Sequence, residues 1–168
     1  MERIYDCSVD TDLLTGMRLA KVAIGRKELV VLPTDTVYGL ACDAFSHEGV
    51  QKLLDAKGRD RQSPPPVLIG NVAALDGLAQ DIPALAHKLA ETFWPGALTM
   101  ILKAQPSLTW DLGETKGTVA LRMPDHKIAL ALLQETGPLA VSSANLTGEP
   151  AAITCQQAEG YLGSKVKV

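Results

Sequence analysis

Residues 28–40 of this chain read ELVVLPTDTVYGL, an apolar run that stops at a proline and gives way to a group of polar side chains. Residues 29–32 predict a short strand that is covered on both faces, because its apolar residues are continuous rather than alternating. The polar residues that follow are Thr34, Asp35, Thr36 and Tyr38. Functional sites of open α/β folds commonly lie at the ends of strands, so this stretch predicts an α/β architecture with a site beside its first strand.

Helical and strand patterns alternate along the rest of the chain. The predicted helices begin near Asp10 or Thr11, Ser46, Asn71, Pro83, His126 and Thr154. Further strands are predicted at residues 66–69, 97–102, 118–121 and 138–141. The helix from Pro83 carries Leu85, Leu89 and Phe93 as its large apolar residues. The sequence therefore predicts a single α/β domain over residues 1–168, with a twisted mixed sheet and flanking helices.

Composition narrows the class of protein. The chain has 168 residues, 46% of them hydrophobic, which is enough to form a real core. Its 16 basic and 19 acidic residues give a net charge of −3, too mild for a protein that coats nucleic acid or a membrane surface. We expect no membrane span and no signal peptide. Cys7, Cys42 and Cys155 are widely spaced, so we expect free thiols in a reducing cytoplasm.

Familiar nucleotide-binding and hydrolase motifs are missing, since GxxxxGK[ST], GxGxxG and GxSxG do not occur. The histidines lack the spacing of zinc ligands, so no metal site is predicted. Four polar clusters remain, namely Thr34–Tyr38, Lys57–Arg59 with Ser63, Ser142–Asn145, and Thr118 with Arg122. Each alone has an ordinary explanation as a helix cap, a turn or an ion pair. Together they supply cations for phosphates, donors for a polar head group and an arginine for a carboxylate. This inventory suits a nucleotide bound beside an amino acid.

Five stretches in this order carry a family resemblance: PTDTVYGL, AKGR with VLI after it, FWPGALT, VALRMP and SSANLTGEP. From about residue 10 to 155 the chain resembles the YrdC-like family of threonylcarbamoyl-adenylate synthases. The resemblance implies an α/β fold around a large, concave, positively lined cavity. It also implies a reaction in which L-threonine, bicarbonate and ATP give threonylcarbamoyl-adenylate and pyrophosphate for tRNA modification.

The resemblance assigns roles to residues of this sequence. It places the threonine substrate against Thr34, Thr36, Tyr38, Arg122 and Ser142. It places ATP against Lys57, Arg59, Ser63, Thr118, Ser143 and Asn145, with Lys57 and Arg59 also as the catalytic pair that neutralises phosphate charge. Both cations are expected at an exposed helix end, where substitution leaves folding intact. Mg²⁺ is expected to arrive on the ATP phosphates rather than in a protein cage. No covalent enzyme intermediate is expected.

Two departures from the family pattern and two alternative functions accompany this interpretation. Residues 63–66 read SPPP where many members have Lys-Pro-Leu, and the prolines stiffen the loop. Members usually continue beyond this chain's last residue into further strands, so we expect an uncovered sheet edge near residues 138–141 and 97–102.

One alternative is a nucleotide- or RNA-binding module that holds tRNA or double-stranded RNA without synthase activity. The other is a paralogue with a different carbamoylated acceptor. Downstream tRNA-modification proteins are the expected partners.

Overall fold

The computed structural model describes residues 4–168 and contains six helices and six strands within that range. The helices are α1 (Asp10–Gly25), α2 (His47–Lys57), α3 (Ala74–Leu78), α4 (Ala84–Phe93), α5 (Lys127–Thr136) and α6 (Cys155–Leu162). The strands are β1 (Val30–Leu32), β2 (Gly39–Asp43), β3 (Val67–Leu68), β4 (Met100–Lys103), β5 (Thr118–Arg122) and β6 (Leu139–Ser143). Every predicted helix and strand is present, and β2 is one strand more than predicted.

The six strands form one mixed sheet in the order β1-β2-β6-β3-β5-β4. Only β3 and β5 run parallel, and every other neighbouring pair is antiparallel. β1 and β2 are joined by the residues 33–38, with Leu32 opposite Gly39. The predicted α/β domain with a twisted mixed sheet is thus confirmed, while the large concave cavity stays a prediction.

Each face of the sheet is covered by its own set of helices, as alternating side chains require. Along β2, Leu40 and Cys42 enter the larger core, which α2, α3, α4 and α6 cover. Ala41, between them in sequence, points to the opposite face and joins the core that α1 and α5 cover. The sheet is therefore the middle layer of three, and burial of its two apolar faces stabilises the domain.

Two local predictions are wrong in detail. Asp10 and Thr11 do not cap α1: Val9 precedes the helix without a side-chain cap, and Asp10 is its first residue. On α4 the buried residues are Ala86 and Ala90, whereas Leu85 is 66% and Phe93 is 53% exposed. Ala86 and Ala90 join the larger core and Leu89 packs against it, so two of the three large apolar residues do not mark the inner face.

Helix α2 begins and ends as its sequence predicts. The Ser46 side chain accepts a hydrogen bond from the Gly49 backbone N–H, and Gly58 follows the helix in the left-handed conformation with φ of 66°. This C-terminus matters for function because Lys57 and Arg59 flank Gly58 on either side.

We expect Gly58→Ala to lower the free energy of unfolding by about 1–2 kcal/mol, because an L side chain is strained at positive φ. A Cβ at Gly58 meets no atom within 4 Å, so this cost is purely conformational. Gly77→Ala in α3 is the matched control, since its Cβ also meets nothing within 4 Å and its φ is not positive. Urea denaturation should show a higher midpoint for the control, and equal midpoints would contradict the assignment.

The expected uncovered edge is only half right. β4 is an outermost strand, as predicted for residues 97–102, but β6 lies in the middle of the sheet between β2 and β3. On the opposite edge the backbone of residues 167–168 bonds to β1 and to the residue before it, through Val31 N–H to Val168 O at 2.8 Å and Lys167 N–H to Leu29 O at 2.9 Å. Across residues 4–168, no helix is long and apolar enough to cross a membrane.

Candidate nucleotide and amino-acid site

Three connecting segments meet at one end of the sheet. Gly39 at the start of β2 lies opposite Ser143 at the end of β6, so the turn before β2 and the segment after β6 are adjacent. The loop that follows α2 arrives at the same end, where Pro66 O accepts the Val141 N–H at 2.9 Å. The predicted clusters 34–38, 57–63 and 142–145 are therefore brought together by β-sheet register, although they are far apart in sequence.

The Thr34 side chain holds the turn 34–37 in shape. Its hydroxyl donates to Val37 O at 2.6 Å and accepts the backbone N–H groups of Thr36 and Val37 at 3.2 and 3.3 Å. Because this hydroxyl proton is already used, Thr36 must be the donor in the 3.1 Å contact between the two threonine hydroxyls. The lone pairs of the Thr36 hydroxyl remain free to accept other donors. Thr34 is thus first of all the residue that shapes this turn.

Arg122, at the end of β5, is fixed against this turn by three different nitrogens. Its Nε–H donates to Gly96 O at 3.0 Å, Nη1 to the Thr36 hydroxyl at 3.1 Å and Nη2 to Asp35 Oδ1 at 2.5 Å. A guanidinium has five N–H groups, so one remains on each terminal nitrogen. Side chains of Arg122 and Asp35 are 13% and 18% exposed. The arrangement presents an oriented cation that can still bind a carboxylate.

Lys57 is a buried cation that joins the end of α2 to the segment after β6. The residue is 1% exposed, and its Nζ donates to Ser143 O at 2.5 Å and Asn145 Oδ1 at 3.0 Å, with Ser143 Oγ at 3.4 Å. Asn145 in turn donates to Leu146 O and Glu149 O at 3.0 and 2.6 Å. Thr147 donates to the Lys57 carbonyl from both its N–H and its hydroxyl. Lys57 therefore organises the loop 143–149 from beneath.

Burial, together with the nearby positive charge of Arg59, lowers the pKa of Lys57 to about 8. No carboxylate within residues 4–168 forms a salt bridge with this ammonium. A buried cation that is satisfied only by neutral oxygens retains a positive potential that an anion can neutralise.

Arg59 is the cation of this region that borders open space. It lines a cleft of about 450 Å³ together with Gly58, Asp60, Ser63, Pro64 and Thr147. Its Nη1 donates to the Ser142 hydroxyl at 3.2 Å, which fixes its direction. The loop that carries Ser63 is tethered by an ion pair between Arg61 and Asp111, and that arginine holds the pKa of the Asp111 carboxyl below its usual range. The cleft thus combines a fixed cation with the Ser63 hydroxyl and the Asp60 carboxylate, while Thr147 uses its hydroxyl proton on the Lys57 carbonyl.

Two predicted site residues lie away from these clusters. Thr118 is the first residue of β5 and lies on the same face of the strand as Arg122. The two are four residues apart, which is about 13 Å at a rise of about 3.3 Å per residue. The Thr118 hydroxyl donates to Thr115 O at 2.8 Å. Tyr38 lines a separate groove of about 940 Å³ that also touches Cys7, His126 and Cys155. Thr34, Thr36, Arg122 and Ser142 do not line that groove. A shared wall for Tyr38 and the two threonines stays a prediction.

Sequence reasoning missed two contributors to the site. Asp35 was noted only as one of the polar residues after the first strand, but it is the ion-pair partner of Arg122. The Gly96 carbonyl, in the segment after α4, accepts a further Arg122 hydrogen bond. A carboxylate between two candidate threonines was a usable signal for Asp35, whereas nothing in the sequence points to a backbone carbonyl.

The three cysteines are free, as predicted, and burial raises the pKa of Cys42 to about 12.

Comparison with known proteins finds relatives that share one enzyme name. A putative threonylcarbamoyl-AMP synthase of Mycobacterium leprae is 47% identical over 168 residues, which cover 100% of this chain and 76% of the relative. The threonylcarbamoyl-AMP synthase of Bacillus subtilis is 40% identical over 149 residues, which cover 88% of this chain and 43% of the relative. The crystal structure of Pyrococcus abyssi Sua5 complexed with L-threonine matches with a TM-score of 0.86 and 35% identity, over 90% of this chain and 45% of that one.

The chain therefore spans most of the mycobacterial relative but less than half of the Bacillus and Pyrococcus proteins. Residues 22–168 match the family described as Sua5_yciO_yrdC, telomere recombination. These residues include both cationic clusters, the turn between β1 and β2, and five of the six helices. With a match over nearly the whole chain and relatives at this identity, the protein belongs to the Sua5/yciO/yrdC family.

Proposed function

We propose that this family member is a threonylcarbamoyl-AMP synthase, which makes threonylcarbamoyl-AMP and pyrophosphate from L-threonine, bicarbonate and ATP. The observation that carries the proposal is the presence of two cationic clusters of different character. Arg122, fixed against the turn 34–37, suits a small carboxylate. Lys57 and Arg59, at the loop 142–149, suit a phosphate chain. The names of the relatives support the same activity.

Each cluster would serve one substrate. Arg122 would bind the threonine carboxylate through its two unused N–H groups, with Thr36 and Ser142 as neighbouring hydroxyls and Thr34 holding the turn. Tyr38 stays a proposed contact on the same substrate. Arg59 and Ser63 would contact the ATP phosphates in the cleft. The remaining proposed nucleotide contacts are Thr118, Ser143 and Asn145. Lys57 would contribute positive potential and hold the loop on which Ser143 and Asn145 lie.

The proposed reaction needs no nucleophile from the protein. The threonine amine attacks bicarbonate to form a carbamate and water, and a carbamate oxygen then attacks the α-phosphorus of ATP and releases pyrophosphate. The protein would accelerate the second step by holding the two substrates in line and by neutralising charge that develops on the phosphates. Arg122 supplies the first function because its three internal hydrogen bonds prevent it from turning.

Other participants follow from this chemistry. ATP would enter as its magnesium complex, because Mg²⁺ binds phosphate oxygens and keeps several water ligands. The product is a mixed anhydride, so proteins that transfer its threonylcarbamoyl group to tRNA are the proposed downstream partners. Direct binding of tRNA or double-stranded RNA by this chain, and a cytoplasmic location, remain proposals from its sequence.

A pyrophosphate-release assay tests the proposal. The protein is incubated with MgATP, and L-threonine and bicarbonate are each omitted in turn. We expect release only when both are present, since the carbamate is the attacking group. Release that is independent of threonine would instead favour a paralogue with another acceptor. ATP binding without any release would favour a nucleotide-binding module.

The lowered pKa of Lys57 predicts a pH dependence of ATP binding. As the pH rises through about 8 the ammonium loses its proton, so ATP affinity should fall while threonine affinity does not show this step. The unfolded chain keeps this proton to higher pH, so the contribution of Lys57 to stability should increase over the same rise. Calorimetric titration of ATP would detect the first effect and urea denaturation the second, each between about pH 7 and 9.5. The step should vanish in Lys57→Met, and a step that persists there would contradict the assignment.

A further inference from the structure

Asp35 is a carboxylate at the proposed threonine site to which no role has been given. Its Oδ1 accepts from Arg122 Nη2 at 2.5 Å, and the two side chains are 18% and 13% exposed. The residue as a whole is exposed, so solvent reaches its backbone on the turn while its carboxylate lies largely covered beside Arg122. The pair is thus a fixed positive and negative charge side by side at the edge of the site.

Both members of this ion pair can still form further hydrogen bonds. Arg122 has one unused N–H on each terminal nitrogen once its bonds to Gly96, Thr36 and Asp35 are counted. Asp35 Oδ2 accepts no hydrogen bond from the residues that the structure describes. A ligand can therefore contact the cation and the anion simultaneously without breaking the ion pair.

A zwitterionic amino acid has the complementary pattern. Its carboxylate and ammonium sit on one carbon, so the two charges are separated by about the length of a hydrogen-bonded ion pair. Placed against Arg122 and Asp35 in antiparallel fashion, each charge of the amino acid faces its opposite. Arg122 alone would accept any carboxylate, whereas the pair favours a carboxylate that carries a neighbouring cation.

We propose that Asp35 is a specificity-determining residue, which binds the α-ammonium group of the amino-acid substrate while Arg122 binds its carboxylate. The inference rests on the proposed function, because it concerns the same amino acid. It explains why a carboxylate lies against the arginine that is expected to bind an anion. When the amino acid binds, Asp35 repels carboxylates that lack an ammonium group. The bound ammonium then gives its proton to water before the neutral amine attacks bicarbonate.

Calorimetric titration with two ligands tests this role. L-Threonine is compared with 2,3-dihydroxybutanoate, in which a hydroxyl replaces the ammonium group, on the wild-type protein and on Asp35→Asn. The asparagine oxygen can still accept from Arg122, so the orientation of the guanidinium is retained. Glu135→Gln is the matched control, because Glu135 forms an ion pair with Lys21 on the surface, with 58% and 54% of their side chains exposed.

We expect Asp35→Asn to weaken threonine binding by about 10- to 100-fold, because a charge-assisted hydrogen bond is lost. Binding of 2,3-dihydroxybutanoate should be unchanged or tighter, and the Glu135→Gln control should leave both affinities unchanged. ATP affinity should not change in either variant. The difference between the two ligands is the essential readout, since a purely structural role of Asp35 would affect both equally.

Three results would overturn the inference alone, with threonine binding by the wild-type protein intact. Threonine affinity could be unchanged in Asp35→Asn, both ligands could be weakened equally, or threonine could bind more tightly. The last result would mean that Asp35 competes with the substrate for Arg122. A wild-type protein that binds no threonine would overturn the proposed function itself, and this inference with it.

Discussion

Replacing Lys57 with methionine is expected to lower the free energy of unfolding by about 1–3 kcal/mol, because Ser143 O and Asn145 Oδ1 lose their buried donor. ATP affinity is expected to fall by about 10- to 100-fold at the same time, since one charge is removed and the loop 143–149 loses its support. From the sequence we placed Lys57 at an exposed helix end, where substitution leaves folding intact. At 1% exposure that expectation is wrong.

Lys52→Met is the matched control for this prediction. Lys52 lies on the same helix, but its side chain is 45% exposed, where it pairs with surface Glu48 and donates to Lys27 O at 3.1 Å. Loss of such a pair costs little, roughly 0.3–0.5 kcal/mol. Chemical denaturation and ATP titration of both variants separate the two environments. Equal stability of Lys57→Met and Lys52→Met would show that Lys57 does not support the loop.

Arg122→Ala is expected to abolish measurable threonine binding, with an affinity loss of about 100-fold or more from two charge-assisted hydrogen bonds. It should also destabilise the fold by about 1–3 kcal/mol, because a charge-assisted hydrogen bond is lost and the partly covered Asp35 carboxylate is left with no cation. Calorimetry and denaturation measure the two effects independently. ATP affinity should change much less, since Arg122 contacts none of the residues around the phosphate cleft.

The double variant Arg122→Ala/Asp35→Ala distinguishes these effects. Stability should recover in large part once the unpaired carboxylate is removed, because replacing both partners avoids the buried charge. Threonine binding should not recover, because the cation is still missing. Recovery of threonine binding in the double variant would show that Arg122 does not bind the substrate carboxylate.

Local signals in the sequence were reliable where they involve neighbouring residues. Ser46 and Gly58 bound α2 as predicted, and Thr154 accepts the Gln157 N–H at the start of α6. These contacts lie within one turn, so residue type and spacing alone determine them. The same reasoning failed for Asp10, whose side chain forms no capping bond, because a possible cap is not an obligatory one.

Strand β2 was missed because its stability comes from distant partners. The sequence GLACD contains a glycine and an aspartate and gives no clear strand pattern, yet all of its five residues pair with β6. A central strand is determined by tertiary pairing more than by its own preference for extended structure. This omission also hid the register of Gly39 with Ser143, which brings the site together.

The proximity of the candidate site residues was more predictable than the environment of each one. The family motifs named Lys57, Arg122, Ser143 and Asn145, and the structure places Lys57 in contact with the last two. That Lys57 is buried could not be read from the chain, since its acceptors lie 86 and 88 residues away. The ion pair with Asp35 depends in the same way on a strand 87 residues further along.

The central claim is that one site joins threonine, bicarbonate and ATP, and a single labelling experiment tests it most directly. The protein is incubated with MgATP, L-threonine and carbon-13-labelled bicarbonate, and the adenylates formed are identified by mass spectrometry. We predict an adenylate that contains threonine and the labelled carbon, and that disappears in Arg122→Ala. An adenylate without the label, or one that forms equally well without threonine, would contradict the proposed function.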